Sequence, residues 1–149
     1  MMVSTRGRYA LRALLDLAEH AEDGYVPMKD IALRQDISQK YMEQIMPLLT
    51  KGGLVEGLQG KHGGYRLKKS PSDCRVGEVL RLTEGDLAPV ACLSCNATPC
   101  SRATECRTLS MWTQFNQLTN DFFDKITLAD LLKDSDPSKI GSLSQKAEQ

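Results

Sequence analysis

Residues 38–69 read SQKYMEQIMPLLTKGGLVEGLQGKHGGYRLKK, and this stretch decides the fold. Its first half predicts a helix over 39–51, because Ser38 can cap the start and a pair of glycines follows the end. The apolar side chains occupy one arc of that helix: Tyr41, Met42, Ile45, Met46, Leu48 and Leu49. The other arc is polar apart from Pro47, which should kink the helix because it cannot donate a backbone hydrogen bond.

The second half of this stretch predicts a β-hairpin. Segments 54–59 and 64–69 have strand character, and a basic, glycine-rich tip at 60–63 joins them. Upstream, residues 28–36 predict a short helix. Two short helices followed by such a hairpin are typical of a winged helix-turn-helix, in which glycines let the backbone approach DNA and Lys61 meets a phosphate. An ordinary surface hairpin is the alternative interpretation.

The flanking segments complete a mainly α fold with a small β wing. Helical spacing predicts a first helix over 5–22, capped by Thr5, and another over 76–85. A helix over 104–126, roughly 33 Å long, would carry the tryptophan and all three phenylalanines. Such an aromatic helix exceeds what a small domain needs, so we expect it to form a homodimer interface. A short helix capped by Thr127 follows it.

We therefore expect four parts along the chain. Residues 1–90 would form a winged-helix DNA-binding domain, and 91–107 a cysteine-rich sensor loop. Residues 108–133 would hold the dimerisation helix and a short terminal helix. The polar stretch 134–149 has the composition of a disordered tail.

Composition places the chain among single-domain globular proteins. It has 149 residues, of which 41% are hydrophobic. Apolar runs stay below the ~18 residues that a membrane span needs, and the N-terminus lacks the apolar core of a signal peptide. We therefore expect a cytoplasmic protein with no membrane partner.

The charge of the chain is unevenly distributed although its net value is zero. Residues 1–70 contain 11 Lys and Arg against 8 Asp and Glu, whereas residues 71–149 contain 8 against 11. The segment 51–70 is the most basic, with five cationic residues against Glu56 alone. This strip is either an electrostatic footprint for nucleic-acid phosphates or an ordinary solvated face.

Four cysteines lie within fifteen residues: Cys92, Cys95, Cys100 and Cys106. Thiols stay reduced in the cytosol, and the fifth cysteine, Cys74, makes the total odd, so ligands are favoured over disulfides. A structural zinc site would require two close pairs, and only one Cys-x-x-Cys pair is close. The pattern is also compatible with a metal-free thiol switch or with inert surface cysteines. Neither a βαβ pattern nor a catalytic acid–base set accompanies the pair, which argues against an enzyme.

The string YMEQ…L..GGLVE…G..GGY.L at 41–67 resembles the Rrf-type family of bacterial winged-helix transcription regulators. STRGRYALRALLDLA near the N-terminus, VGEVLRLTEG at 76–85 and ITLADLL at 126–132 extend the resemblance over about residues 2–133. It implies a homodimer that binds a palindromic site in double-stranded DNA, with the helix over 39–51 in the major groove. Glutamate can accept from a cytosine amino group, and glutamine can pair with adenine.

The resemblance also implies which side chains contact DNA. Those near the helix start are Ser38, Gln39, Lys40, Tyr41, Glu43 and Gln44, and those on the wing are Gln59, Lys61 and His62.

Metal-sensing members of this family bind an iron–sulfur cluster with three cysteines of this loop and a fourth ligand. That likeness implies Cys92, Cys95, Cys100 and Cys106 as ligands here, with two or four irons. The chain departs from the family at two fourth-ligand positions, which Leu109 and Arg8 occupy, and this leaves Cys95 for that role. The function expected is a regulator, and more specifically a repressor, that senses cluster status, iron, or redox or nitrosative stress.

A cluster-free member of the family is the alternative expectation. Such a protein would repress cysteine-metabolism genes under the control of a partner protein or of thiol redox state. The run of four loop cysteines argues against it, because the cluster-free members used for comparison lack this run.

Overall fold

The computed structural model describes residues 3–133, a mainly helical fold with one two-stranded sheet. In chain order the elements are α1 (Thr5–Glu19), α2 (Met28–Gln35), α3 (Gln39–Lys51), β1 (Val55–Leu58), β2 (Gly64–Leu67), α4 (Val76–Glu84), α5 (Leu109–Lys125) and α6 (Leu128–Lys133). The winged helix-turn-helix expectation is confirmed. The tail expected over 134–149 lies outside the described residues.

Helix α1 is shorter than its apolar spacing predicted, and its cap is one residue earlier. Ser4, not Thr5, is the N-cap, and its Oγ accepts a hydrogen bond from the Gly7 amide at 3.3 Å. The helix ends at Glu19 instead of residue 22, because His20 leaves the helical conformation and a separate 3₁₀ turn follows. The first helix-breaking residue in the sequence after Glu19 is Gly24, so the earlier end at Glu19 was not marked.

Helix α3 begins and ends where the sequence predicted. The Ser38 hydroxyl accepts from the Tyr41 amide at 3.2 Å, and Gly52 is the C-cap. The helix is continuous through Pro47, which lies on its exposed side.

The hairpin forms an antiparallel pair in which Val55 faces Leu67 and Leu58 faces Gly64. The backbones of Val26 and Tyr65 exchange two hydrogen bonds of 2.8 Å, which tie β2 to the segment that precedes α2. The wing is therefore attached to the helix-turn-helix along its second strand and free at its tip.

The largest core cluster lies between α1, α2, α3 and β1, and its fully buried side chains include Leu14, Leu17, Ile31, Ile45, Leu49 and Leu54. A smaller cluster joins α4 to the α5–α6 connection through Val76, Leu80, Leu87 and Ile126. Helix α4 packs on both α1 and α5. It therefore connects the helix-turn-helix to the C-terminal part of the described chain.

Helix α5 begins at Leu109, not at residue 104 as the sequence suggested. Residues 100–107 instead form turns, with the backbone bonds Ala103 N–H to Cys100 O and Glu105 N–H to Arg102 O. The helix leaves an apolar stripe exposed, formed by Met111, Phe115, Leu118 and Phe122.

None of the helices between residues 3 and 133 combines the length and the hydropathy that a membrane span requires.

Candidate nucleic-acid interface and cysteine loop

The side chains proposed for nucleic-acid contact are all exposed, and they lie on α3 and the wing tip: Ser38, Gln39, Lys40, Tyr41, Glu43, Gln44, Gln59, Lys61 and His62. Those of α3 share one face, because core residues such as Met42 and Ile45 anchor the opposite face. A helix that packs against the core through its apolar side exposes its polar side to solvent. The geometry suits insertion into a major groove.

Tyr41 departs from the expectation that it lies on the apolar arc, since the residue is 40% exposed. Its ring packs edge-on against the Tyr9 ring of α1, with the centroids 5.4 Å apart. The Arg12 guanidinium lies 5.2 Å from the Tyr9 centroid on the same surface. Sequence reasoning missed Tyr9 and Arg12 as neighbours of α3, because their contact depends on how α1 crosses it.

A groove of about 770 Å³ separates the wing from α3 and the first turn of α2. Lys29 and Lys51 are the charged residues that line it, so that its charge is positive. The other lining residues include Pro47 and Leu58. Lys29 was not identified from the sequence, because nothing in its neighbourhood shows that α2 begins beside the wing.

An ionic network centred on the buried Asp16 joins α1 to the end of α2. Asp16 is 1% exposed and accepts hydrogen bonds from two Arg34 nitrogens at 2.7 and 3.0 Å and from the side-chain amide of Gln35 at 3.0 Å. Burial by itself would raise the pKa of the Asp16 carboxyl, but the bonds from Arg34 and Gln35 outweigh it and lower that pKa. The network orients α2, against which α3 packs.

The cysteine loop contrasts with this packed part. Cys92, Cys95, Cys100 and Cys106 are all exposed, and none forms a disulfide. Within residues 3–133 no three His, Cys, Asp or Glu side chains are close enough together to hold a metal ion. The donor set, four accessible thiols, has the chemistry that an iron–sulfur cluster requires. The loop would have to bring them together when a cluster binds.

The first half of the loop is anchored to the end of α4. Asp86 accepts hydrogen bonds from the Ser94 hydroxyl, from the Cys95 amide at 3.2 Å and from the Ala88 amide at 3.0 Å. The bond from Ser94, followed by that from Ala88, lowers the pKa of the Asp86 carboxyl. Sequence reasoning did not identify Asp86, because an aspartate after a helix usually indicates only a turn.

The second half of the loop is held by local contacts. The Cys106 sulfur lies 3.4 Å from the Thr108 hydroxyl, and hydrogen bonding to Thr108 lowers the pKa of the Cys106 thiol. Cys100 and Cys106 border one open cavity of about 480 Å³, together with Arg102, Glu105 and Arg107. These two thiols therefore share a solvent-accessible environment in which two arginines outnumber one glutamate.

Cys74 is fully buried in the main core, where burial raises the pKa of its thiol to about 11. It therefore stays a protonated, apolar side chain, in agreement with its exclusion from the ligand set. The two departures from the family pattern are also visible. Leu109 is apolar and is the first residue of α5. Arg8 donates a hydrogen bond to the Thr5 hydroxyl at 3.1 Å.

Comparison with known proteins places this geometry in one family. The sequence profile of the Rrf2 family, described as iron-dependent transcriptional regulators, matches residues 3–134.

Individual relatives cover nearly the whole chain. The transcriptional regulator IscR of Photobacterium profundum is 36% identical over 140 residues, which are 94% of this chain and 80% of that protein. The structure of IscR from T. potens superposes with a TM-score of 0.70 at 35% identity, covering 94% of this chain and 92% of the other. CymR, the global cysteine regulator of B. subtilis, superposes with a TM-score of 0.73 at 30% identity, covering 91% and 99%.

Proposed function

The chain belongs to the Rrf2 family of transcriptional regulators, and on that premise we propose that it is a homodimeric, DNA-binding sensor of the IscR type. Its DNA affinity would depend on an iron–sulfur cluster held by the loop cysteines. The observation that supports this most is the presence of four exposed, unpaired thiols beside a winged helix in a chain of this family.

The proposed DNA contacts divide into two kinds. Glu43 and Gln44 on the exposed face of α3 would read base edges, since carboxylate and amide groups match the donors and acceptors of cytosine and adenine. Lys61 on the wing tip would contact phosphates, and Gly60, with φ at 111°, lets the tip turn back there. Specificity would therefore come mainly from α3 and affinity from the wing.

The homodimer would form through α5. Phe115, Leu118 and Phe122 are 44%, 68% and 38% exposed and lie on one side of that helix. Such an apolar stripe is unfavourable in water and suits a second copy of the same helix. Two winged helices related by the resulting two-fold axis would then match a palindromic site.

Leu118→Glu tests this interface, because it would place a charge in the centre of the stripe. We expect a monomer in analytical ultracentrifugation, whereas Asp121→Glu, an exposed position one turn away, should leave the dimer intact. A stable dimer of Leu118→Glu would show that the interface lies elsewhere.

Cys92, Cys95, Cys100 and Cys106 would hold the cluster. When bound, the cluster supplies a group that can be lost, oxidised or nitrosylated, so that its presence reports on the state of the cell. The chain contributes soft sulfur donors and a loop whose exposure allows it to rearrange around them. The Thr108 contact favours the thiolate form of Cys106 in advance of binding.

The second candidate is a cluster-free repressor. The similarity to CymR favours it, because this regulator of cysteine metabolism has the same fold. The four exposed thiols, all free of disulfides, would suit a thiol-based switch as well. Metal content distinguishes the two.

The test is anaerobic purification followed by iron and sulfide analysis and by absorbance and Mössbauer spectroscopy. We expect a brown protein with iron and acid-labile sulfide, and no cluster in Cys100→Ser or Cys106→Ser. A colourless preparation that takes up zinc but neither iron nor sulfide on reconstitution would refute the cluster. Sulfide-free protein that still represses would instead favour the cluster-free repressor.

A further inference from the structure

The last turn of α4 touches the N-cap of α1. Oε1 of Glu84 accepts hydrogen bonds from the Ser4 amide at 3.1 Å and from the Ser4 hydroxyl at 2.6 Å. Ser4 in turn caps α1 through the Gly7 amide. The carboxylate of Glu84 therefore orders the start of α1 across 80 positions of sequence.

The start of α1 adjoins the proposed DNA-reading face. Ser4, Thr5 and Arg6 line a cavity of about 240 Å³ together with Tyr41 and Gln44 of α3. A displacement of the α1 N-cap would therefore change the surroundings of two residues proposed to contact DNA.

Asp86 follows Glu84 after a single residue and faces the other site. Its Oδ2 atom holds both the Ser94 hydroxyl and the Cys95 amide. Residues 85–87 are held in place around these two carboxylates. Gly85 ends the helix with φ of 89°, and Leu87 is 3% exposed and packs in the smaller core cluster. A displacement of one carboxylate should therefore displace the other.

We propose that Glu84 and Asp86 are positioning residues that connect the cysteine loop to the DNA-reading surface. Asp86 presents the Cys95 turn to the cluster, and Glu84 holds the N-cap of α1 beside α3. This inference rests on the proposed function, since it assigns how the cluster site would affect DNA binding. Neither residue contacts DNA or iron in this scheme.

Substitutions can remove these hydrogen bonds selectively, because each carboxylate oxygen accepts a known set of them. Both Ser4 bonds reach one Glu84 oxygen, so Glu84→Gln can retain them through its amide carbonyl whereas Glu84→Ala cannot. Asp86→Asn can retain the Ser94 and Cys95 bonds through its carbonyl but would lose the Ala88 bond, while Asp86→Ala loses all three. Asp23→Ala is the matched control, because it removes an exposed carboxylate in the turn after α1.

The first measurement is hydrogen exchange of individual amides in full-length, cluster-free protein. We expect the Cys95 amide to exchange about tenfold faster in Asp86→Ala than in wild type, with Asp86→Asn in between. The Ala103 amide, which bonds to the Cys100 carbonyl in the other half of the loop, should not change. Unchanged exchange at Cys95 in Asp86→Ala would refute the role of Asp86, whether or not the protein binds a cluster.

The second measurement is DNA affinity in cluster-loaded and cluster-free protein. We expect a wild-type ratio of about 5- to 150-fold, the usual range of coupling between two sites, whichever form binds more tightly. Glu84→Ala should bring that ratio close to one while retaining the cluster, and Glu84→Gln and Asp23→Ala should keep it. Asp86→Ala should lose the cluster about 10- to 100-fold more readily to an iron chelator, as other second-layer substitutions do.

The outcomes separate the failure of this inference from that of the proposed function. A wild-type protein that binds no cluster overturns the proposed function, and the exchange measurement still decides the position of the loop. A wild-type protein that binds a cluster without any change in DNA affinity overturns the connection. A full wild-type ratio in Glu84→Ala overturns the role of Glu84.

Discussion

The helix-turn-helix and the cysteine loop are organised in opposite ways. In the first, Asp16 is buried and paired with Arg34 and Gln35, and the core fixes the side chains that support α3. In the second, all four thiols are exposed and free of disulfides, and Asp86 ties the loop to the end of α4. Folding alone therefore builds the surface that we propose to read DNA, whereas the proposed ligand site depends on what the loop binds.

The largest effect should come from breaking the fixed half. Asp16→Ala removes the carboxylate that pairs with Arg34 in the core network. We expect a loss of about 2–4 kcal/mol in the free energy of unfolding, near the lower end for such pairs because Arg34 is partly exposed and can rehydrate. Urea denaturation measures it, with Glu22→Ala, which removes an exposed carboxylate in the turn after α1, as the control within about 0.5 kcal/mol of wild type. A wild-type midpoint for Asp16→Ala would show that the network does not stabilise the fold.

Within the surface that we propose to read DNA, substitutions of Glu43 and Lys61 should have different effects on binding. Glu43→Ala should relax the preference at one base pair per half-site by about 1–3 kcal/mol, because it removes an acceptor for a cytosine amino group. Lys61→Ala should weaken binding to all sequences and reduce the salt slope by about one. Titrations over a randomised site library at two salt concentrations measure both.

Since folding alone builds this surface, the Glu43→Ala change in preference should be the same with and without the cluster. An unchanged preference profile would show that α3 does not read the groove as proposed. A change confined to one cluster state would show that the loop reshapes α3 itself.

The same substitution in the two regions sharpens the comparison further. Cys74→Ser puts a hydroxyl into a fully buried site and should cost about 1–2 kcal/mol in unfolding free energy, while iron binding persists. Cys106→Ser at an exposed site should change stability by less than about 0.5 kcal/mol but abolish the cluster. Urea unfolding of cluster-free protein, together with iron analysis, measures both effects. Reversed results would contradict the division between core and ligand cysteines.

The smallest expected effect is a change in stability at acidic pH. The pKa of Asp16 is lower in the folded protein than its ordinary value of 3.8. Its contribution to stability is therefore complete above that value and declines as the pH falls towards the folded pKa. We expect the stability difference between wild type and Asp16→Asn to narrow as the pH falls below about 4. A difference that stays constant down to about pH 3 would mean that the carboxylate is not stabilised by its partners.

Local signals in the sequence identified most of the fold. Ser38 and the glycine pair bound α3 correctly, because a cap and a helix stop act within a few residues. The start of α5 was misplaced by five residues, since residues 104–108 contain no glycine or proline that would mark the boundary. Tyr41 was misjudged for a different reason, because its exposure depends on the crossing of α1.

The candidate sites were only partly predictable. The exposed polar face of α3 follows from helical periodicity, so the side chains proposed for DNA contact were identified together. The contacts of Ser4 with Glu84 and of Asp86 with the loop were not, because they join residues that no local pattern relates. Long-range pairs of this kind are the part of a site that requires a structure.

The most direct test is an equilibrium titration of one DNA site by three proteins: wild type carrying its cluster, wild type after cluster removal, and Cys106→Ser. The site would be selected from the randomised library, and the salt concentration held constant. We expect the first two affinities to differ by about tenfold or more, and Cys106→Ser to match the cluster-free protein. Three superimposable binding curves would contradict a cluster-dependent regulator and leave the cluster-free repressor as the function of this chain.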